Sequence, residues 1–455
     1  MNKETTRQKS GTSQYDPVRA AAVEALILIQ QGGQAEDAIS SVSSDRGFRP
    51  LDIRFIMQLV NGTTKMRRRL DHEIKFYLAR PSKDLPLKLT NILRLGFYQL
   101  HFTDRIPDAA AVSESVNLAR YMTDRSKANL VNAVMRASLR QPEKVIFADR
   151  GEDPVKYLGD YYSFPDYFVK YCLSEFGSER TEAALREFNA VPRLTYRVNY
   201  LKAKPEEVTE ILAKNDVAFA PGNYLPEYIH IEQGGLPLES ELIATGKVFI
   251  QDESAGLATR LANPRPGGKV LDCAAAPGGK ATHMAIRMRN RGRITALDKS
   301  HERLRLVLEN AERLGIKIIS PVVSDMFDFK EEGFDRVMLD PPCSGWGTAG
   351  KHADLRWAKS EDDIVHLSRI QSKMILKAAK SVKPGGILIY STCTIIRAEN
   401  DQVVEEFLLR RRDFEIDSPR GLVPAELVTS RGFVKTYPAL AGIDGAFSAR
   451  LKRKP

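Results

Sequence analysis

The chain of 455 residues is 43% hydrophobic and 28% charged, an ordinary globular usage that excludes disordered and fibrous classes, and its length suggests about three domains. Its 4 cysteines include no CxxC pair, which argues against a disulfide framework or a zinc ribbon. No apolar run approaches the ~20 residues that span a bilayer, and the opening MNKETTRQKSGTSQYD has no hydrophobic signal segment. The expectation is a cytoplasmic monomer with no membrane segment and no metal.

The formal net charge of +10 is unevenly spread. Lys and Arg outnumber Asp and Glu by 24 to 16 over residues 1–150, fall behind by 13 to 18 over 151–270, and lead by 31 to 24 over 271–455. Two basic regions flanking an acidic one suggest a polyanion held from both ends. A soluble enzyme that happens to be basic fits the charge equally well.

Residues 1–14 are polar and without period, as in a frayed terminal tail. Asp16 then offers an N-cap and Pro17 a first helical position, ahead of an apolar run that closes on Gly32-Gly33. Helical spacing predicts further helices at about 52–60, 66–79, 87–102, 109–122 and 126–139, with no convincing strand before residue 140. This α bundle carries its most basic stretch at Lys65-Met66-Arg67-Arg68-Arg69, and a basic helical domain of this kind would supply phosphate contacts. After a connector at 141–165, strands at 194–199 and 228–231 flank a helix at 204–214, which reads as a small α+β domain.

From Lys269 strands and helices alternate: strands at 269–273, 293–298, 318–323, 334–340 and 386–392, helices at about 279–290, 300–314, 361–381 and 397–410. That alternation predicts βαβ units and a doubly wound, mostly parallel sheet. Two late strands, around 432–435 and 447–450, could pair antiparallel at one edge. The domain boundaries expected are 1–145, 146–265 and 266–455.

Four segments carry chemistry. Leu271-Asp272-Cys273-Ala274-Ala275-Ala276-Pro277-Gly278-Gly279-Lys280 joins a strand to a helix. Small residues there admit a ligand to the backbone, and the helix start offers free N–H groups. It is neither GxGxxG nor a phosphate loop, and alone it could be a tight turn. Asp298 ends the next strand, where a carboxylate can accept from both ribose hydroxyls, and Asp325 closes the third, near an adenine amino group. Without a pyrophosphate fingerprint, the better fit is a nucleoside with an amino-acid tail, S-adenosylmethionine. Asp340-Pro341-Pro342-Cys343-Ser344-Gly345 ends the fourth strand, and the prolines force the chain out of the sheet. Ser391-Thr392-Cys393-Thr394 ends the fifth. Cys172 reads as a small buried hydrophobe, whereas two thiols at neighbouring strand ends argue for reactivity.

These motifs, with Glu399-Asn400, resemble the RNA (cytosine-5)-methyltransferases of the Sun/NOL/NOP group. Leu95-Gly96-Phe97-Tyr98-Gln99-Leu100, Asp104-Arg105-Ile106-Pro107 and the helix at 130–139 look like a NusB-type RNA-binding domain. Gln251-Asp252-Glu253-Ser254-Ala255 is similar to the segment entering that group's catalytic core. A NusB-like bundle ahead of this core resembles the RsmB/Sun branch, whose substrate is 16S rRNA. Ala274 stands where the branch more often has Cys, so Cys273 is shifted by one and expected to be inert. Lys351-His352-Ala353-Asp354-Leu355-Arg356-Trp357 resembles the group's substrate loop, with Ala353 where Pro is usual.

The resemblance implies an all-α NusB-like domain, a small α+β domain and a Rossmann-like methyltransferase domain. It also implies a cofactor set of Ala274, Ala275, Ala276, Pro277, Gly278, Gly279, Lys280, Asp298, Arg303, Asp325 and Asp340. Carbon 5 of cytosine is a poor nucleophile until a thiolate adds at carbon 6. By residue type either thiol could attack; the resemblance makes Cys393 the nucleophile, gives Cys343 a role in release, and sets Asp340 against the base. Lys280 would order the site or merely begin the helix. Two rivals are weighed. An amino-methyltransferase usually has an aromatic where Cys343 follows Asp-Pro-Pro. A non-catalytic RNA-binding antitermination factor would not need an intact loop and both cysteines.

Overall fold

The computed structural model describes residues 15–44, 46–79, 85–233 and 241–455; the tail expected over 1–14 lies outside them. The chain divides into two compact units, the first comprising residues 1–185 with 352–358, the second 186–351 with 359–455.

The first unit is helical: α1 (Pro17–Gln30), α2 (Ala35–Ser43), α3 (Pro50–Lys65), α4 (Arg67–Lys75), α5 (Leu87–Phe102), α6 (Asp108–Met122), α7 (Arg125–Arg140), α8 (Pro154–Tyr162) and the start of α9 (Asp166–Asn189). Asp16 caps α1 by accepting from the Val18 amide at 2.9 Å, and Pro17 opens the helix where its missing N–H costs nothing. Apolar faces such as Ile92, Leu93, Leu95 and Phe97 of α5 bury completely against Ile56, Leu59 and Val60 of α3. The sequence reading passed over α2, whose nine residues are mostly polar.

The basic run 65–69 packs largely against the unit's own residues. Arg68 donates to Asp160 at 2.7 Å, Asp166 at 2.6 Å and the Phe164 carbonyl at 2.7 Å. Arg69 pairs with Glu73 at 2.8 Å and lies 4.3 Å from the Tyr161 ring centre. Lys65 is buried, and desolvation with the nearby Arg356 charge pulls its pKa down to about 8. Arg68 and Arg69 thus tie helices of the unit together. Segment 352–358 packs with them. Arg356 is 1% exposed, donates to the carbonyls of Lys65 and Ser163 at 3.3 and 3.4 Å, and lies 3.9 Å over Phe164. Trp357 donates to the Thr64 carbonyl at 2.7 Å.

In the second unit a four-stranded antiparallel sheet has the order β2-β3-β1-β4, with β1 (Leu194–Val198), α10 (Pro205–Lys214), β2 (Ala218–Pro221), β3 (Tyr228–Gln233) and β4 (Val248–Ile250). Then come α11 (Glu253–Ala262), β5 (Lys269–Asp272), α12 (Gly279–Arg287), β6 (Arg293–Asp298), α13 (His301–Leu314), β7 (Ile319–Val323), β8 (Phe334–Leu339), α14 (Glu361–Ser381), β9 (Val382–Thr392), α15 (Asp401–Arg410), β10 (Phe414–Ile416), β11 (Val434–Thr436) and β12 (Ala446–Arg453). The large sheet has the order β10-β12-β9-β8-β5-β6-β7, with β11 on β12. Strands β5 to β9 are parallel; the two late strands β11 and β12 pair antiparallel as expected, but β12 lies inside the sheet, antiparallel to β9 on one side and to β10 on the other. Chain order reverses at β5, so β6 and β8 leave it on opposite sides. Such a switch point opens a crevice at the carboxyl ends of the strands.

Candidate active site at the carboxyl edge of the sheet

All four chemical segments leave the sheet at this edge. Gly278 begins the turn into α12 at φ +102°, and a Cβ there would stand 3.2 Å from the Val307 backbone, so only glycine fits. The loop borders a cleft of about 230 Å³ lined by Asp272, Ala274, Ala275, Ala276, Pro277, Gly279, Lys280 and Asp340, with Phe249 to Gln251 from β4 and its end.

Lys280 donates to Asp340 at 2.5 Å, bringing together residues 60 apart in sequence. Burial disfavours the ammonium, but Asp340, Cys393 and Asp272 outweigh burial and hold its pKa above the ordinary value. Cys343 and Cys393, at the ends of adjacent strands, bring their sulfur atoms to 3.3 Å. Cys393 is exposed and Cys343 partly so. The hydrogen bond with Cys393, then burial, then the charges of Cys393, Glu399 and Asp340 raise the Cys343 pKa well above a free thiol. Cys172 and Cys273 are buried, and desolvation pushes both upward.

The remaining expected residues lie further off. Asp298 is buried at the end of β6, accepts from the Ser300 amide at 3.0 Å, and faces Arg303 at 3.4 Å. Arg303 also donates to the Ala276 carbonyl at 3.1 Å, tying that turn to the glycine loop. Asp325 stands two residues past β7, which ends at Val323, and accepts from Phe327 at 2.8 Å. Asp298, Arg303 and Asp325 adjoin the cleft's strands without being among the residues that line it.

Two residues escaped sequence reasoning. Asp272 is 1% exposed, and neither carboxyl oxygen has a hydrogen-bond partner among the described residues. Burial, with the charges of Asp340 and Asp298, pushes its pKa up to about 7 against the opposing pull of Lys280. An acidic residue ending the strand before the loop was the available signal. Arg197 of β1 is fully buried and donates to Gln251 at 2.5 Å, the Gly279 carbonyl at 2.6 Å and Thr282 at 2.9 Å. Nothing local to Arg197 announces partners so distant in sequence.

A parallel sheet of this order, with an antiparallel insertion and a glycine-turned loop at its switch point, defines a Rossmann-like methyltransferase fold. Residues 259–452 match the family described as 16S rRNA methyltransferase RsmB/F, 16–140 the NusB family, and 164–237 the ferredoxin-like domain of RsmF/B-like methyltransferases. A probable ribosomal RNA small subunit methyltransferase B from Bacillus subtilis (strain 168) is 34% identical, covering 96% of this chain and 99% of its own. A protein of the same description from Synechocystis is 34% identical over 95% and 99%. The crystal structure of PH0851 superposes with a TM-score of 0.79 at 26% identity, over 98% of this chain and 100% of that one. The chain belongs to the RsmB/F family of 16S rRNA methyltransferases.

Proposed function

We propose that this protein methylates carbon 5 of a cytosine in 16S rRNA, with S-adenosylmethionine as donor and Cys393 as covalent nucleophile. The observation that carries the reading is the 3.3 Å approach of two thiols at adjacent strand ends, beside the Lys280–Asp340 pair. The substrate class rests on kinship with proteins described as 16S rRNA methyltransferases.

The cleft suits the donor on its own terms. Its loop carries no side chain larger than proline before Lys280, and the orphaned Asp272 carboxyl offers an acceptor to a cationic tail. Backbone N–H groups at the start of α12 would hold the carboxylate, and Asp298 and Asp325 the ribose and adenine. When bound, S-adenosylmethionine supplies an electrophilic methyl group.

The chain's own residues do the rest. Cys393 adds to carbon 6, and the electron pair displaced from the ring double bond makes carbon 5 nucleophilic. Asp340 binds the polar edge of the base, and Lys280, donating to that carboxylate, holds it in place. After carbon 5 is alkylated a base takes up its proton, the freed electron pair re-forms the ring double bond, and Cys393 departs as thiolate, with Cys343 alongside it assisting release.

Denaturing gels of Cys343→Ala, Cys393→Ala and the double variant, incubated with rRNA and S-adenosylmethionine, test the scheme. Cys343→Ala should trap a covalent protein–RNA band, absent from the other two. A band in Cys393→Ala instead would exchange the roles, and no band in any lane would remove the covalent mechanism.

A further inference from the structure

Beneath the sulfur pair lies a buried polar assembly that the scheme above does not use. Glu399 has no exposed surface. Its carboxylate accepts from the Ser344 amide at 2.8 Å, from the Ser344 hydroxyl, and from Gln371 at 2.9 Å. Ser344 immediately follows Cys343, and Gln371 also donates to the carbonyl of Pro342 at 2.9 Å, just before it. Glu399 with Gln371 therefore grips both flanks of Cys343.

The next residue grips the other cysteine. Asn400, also buried, accepts from the Thr392 hydroxyl at 2.5 Å and donates to the Thr394 carbonyl at 2.8 Å. Those are the two neighbours of Cys393. The halves are joined by the Ser344 and Thr394 hydroxyls, 2.9 Å apart. Backbone stiffness between two consecutive residues thus fixes one sulfur-bearing turn against the other.

We propose that Glu399 and Asn400 form a clamp that sets the separation of Cys343 and Cys393, with Glu399 a positioning residue for catalysis. The inference rests on the cysteine-pair mechanism for its functional meaning, though the clamp itself is a statement about geometry. Both carboxylate oxygens of Glu399 face donors only. A glutamine would turn its NH₂ toward one of them, losing that bond and leaving a buried donor opposed to a donor. Charge adds a second effect. The groups facing Cys343 are Cys393, Glu399, Asp340 and Tyr390; the Cys393 hydrogen bond and burial do most to favour its thiol form, and the Glu399 and Asp340 charges add to them. The clamp therefore makes the two sulfurs unequal in setting: Cys343 is gripped on both flanks beside the Glu399 carboxylate, and Cys393 is the more exposed.

The test uses the full-length protein with Glu399→Gln, and Ser344→Ala as a milder variant that keeps the carboxylate. Sulfur alignment is read without turnover, from the rate at which diamide, taking up two electrons and two protons, oxidises Cys343 and Cys393 to a disulfide. Cys172 and Cys273, being buried, stay out of that reading. Glu399→Gln should slow disulfide formation and kcat at least about tenfold each, leave KM for RNA within about threefold, and move the pH midpoint of Cys343 alkylation downward in a Cys393→Ser background. Ser344→Ala should slow disulfide formation without moving that midpoint. Wild-type disulfide and turnover rates in Glu399→Gln would overturn the clamp. If Glu399→Gln does not fold, wild-type disulfide formation in Ser344→Ala does so equally. Should Cys343→Ala trap no adduct while both variants still slow disulfide formation, the covalent mechanism falls and the clamp stands.

Discussion

Arg197 donates a 2.6 Å hydrogen bond to the carbonyl of Gly279, so a strand of the small antiparallel sheet holds the first turn of the helix that ends the glycine loop. The guanidinium is fully buried, stacks 4.9 Å from Phe249, and bonds Thr282 one turn further on. Burial draws its pKa down to about 10, still high enough to keep the charge at neutral pH. The loop's shape thus depends on a residue more than 80 positions upstream.

Replacing Arg197 by Lys keeps the charge but not the planar fork that reaches three acceptors at once. Calorimetric titration with S-adenosylmethionine should show affinity reduced roughly tenfold, about 1.4 kcal/mol, as the loop loses its brace. Unchanged affinity would mean that the loop holds its own shape.

Asp298→Ala should weaken S-adenosylmethionine by roughly 10- to 150-fold, the range expected for losing hydrogen bonds to a charged group worth ~1.5–3 kcal/mol. Arg303 gives a control. Because it bridges Asp298 and the Ala276 carbonyl, Arg303→Ala should produce a smaller loss in the same titration. Equal losses would assign the effect to loop geometry and not to ribose contacts.

Arg356→Ala should lower thermal stability while leaving the sheet unit's cofactor binding intact. Its guanidinium fills the space over Phe164 and satisfies two carbonyls of the helical unit. Truncation leaves a buried cavity and unpaired acceptors, worth about 2–4 kcal/mol by comparison with other buried deletions. Circular dichroism melts check the loss; a shift below 1 °C would show that the segment is loosely held.

What the sequence made legible follows periodicity and strand ends. Alternation from Lys269 predicted the parallel sheet, and the cysteines and Asp340 fell at one edge because a strand's last residue has a fixed place. Short elements were lost: β2 carries a proline, and β4 has three residues, too few to show alternation. The packing of the run 65–69 was illegible for a different reason. Whether an arginine faces water depends on carboxylates such as Asp160, 92 positions from Arg68, and no local pattern records that. Arg197 and Asp272 share this blindness, since what distinguishes them is the partner each has or lacks.

Asp272 makes stability depend on pH in a direction opposite to most carboxylates. Its ordinary value is 3.8, and in the folded protein it is about 7, so the unfolded chain ionises first. Below about pH 4 both states carry the proton and the residue costs nothing. Between about pH 4 and 7 the unfolded state has released its proton and the folded state has not, so the folded state loses stability as pH rises. Above about 7 the loss is complete, at most about 4 kcal/mol for a shift of some three units. Asn at this position mimics the protonated form. Asp272→Asn should therefore match the wild type in urea melts near pH 4 and exceed it by a few kcal/mol at pH 8. S-adenosylmethionine, by giving the carboxylate a cationic partner, should stabilise the wild type more than the variant at pH 8. A variant advantage that is constant across pH would show that Asp272 does not ionise within the fold.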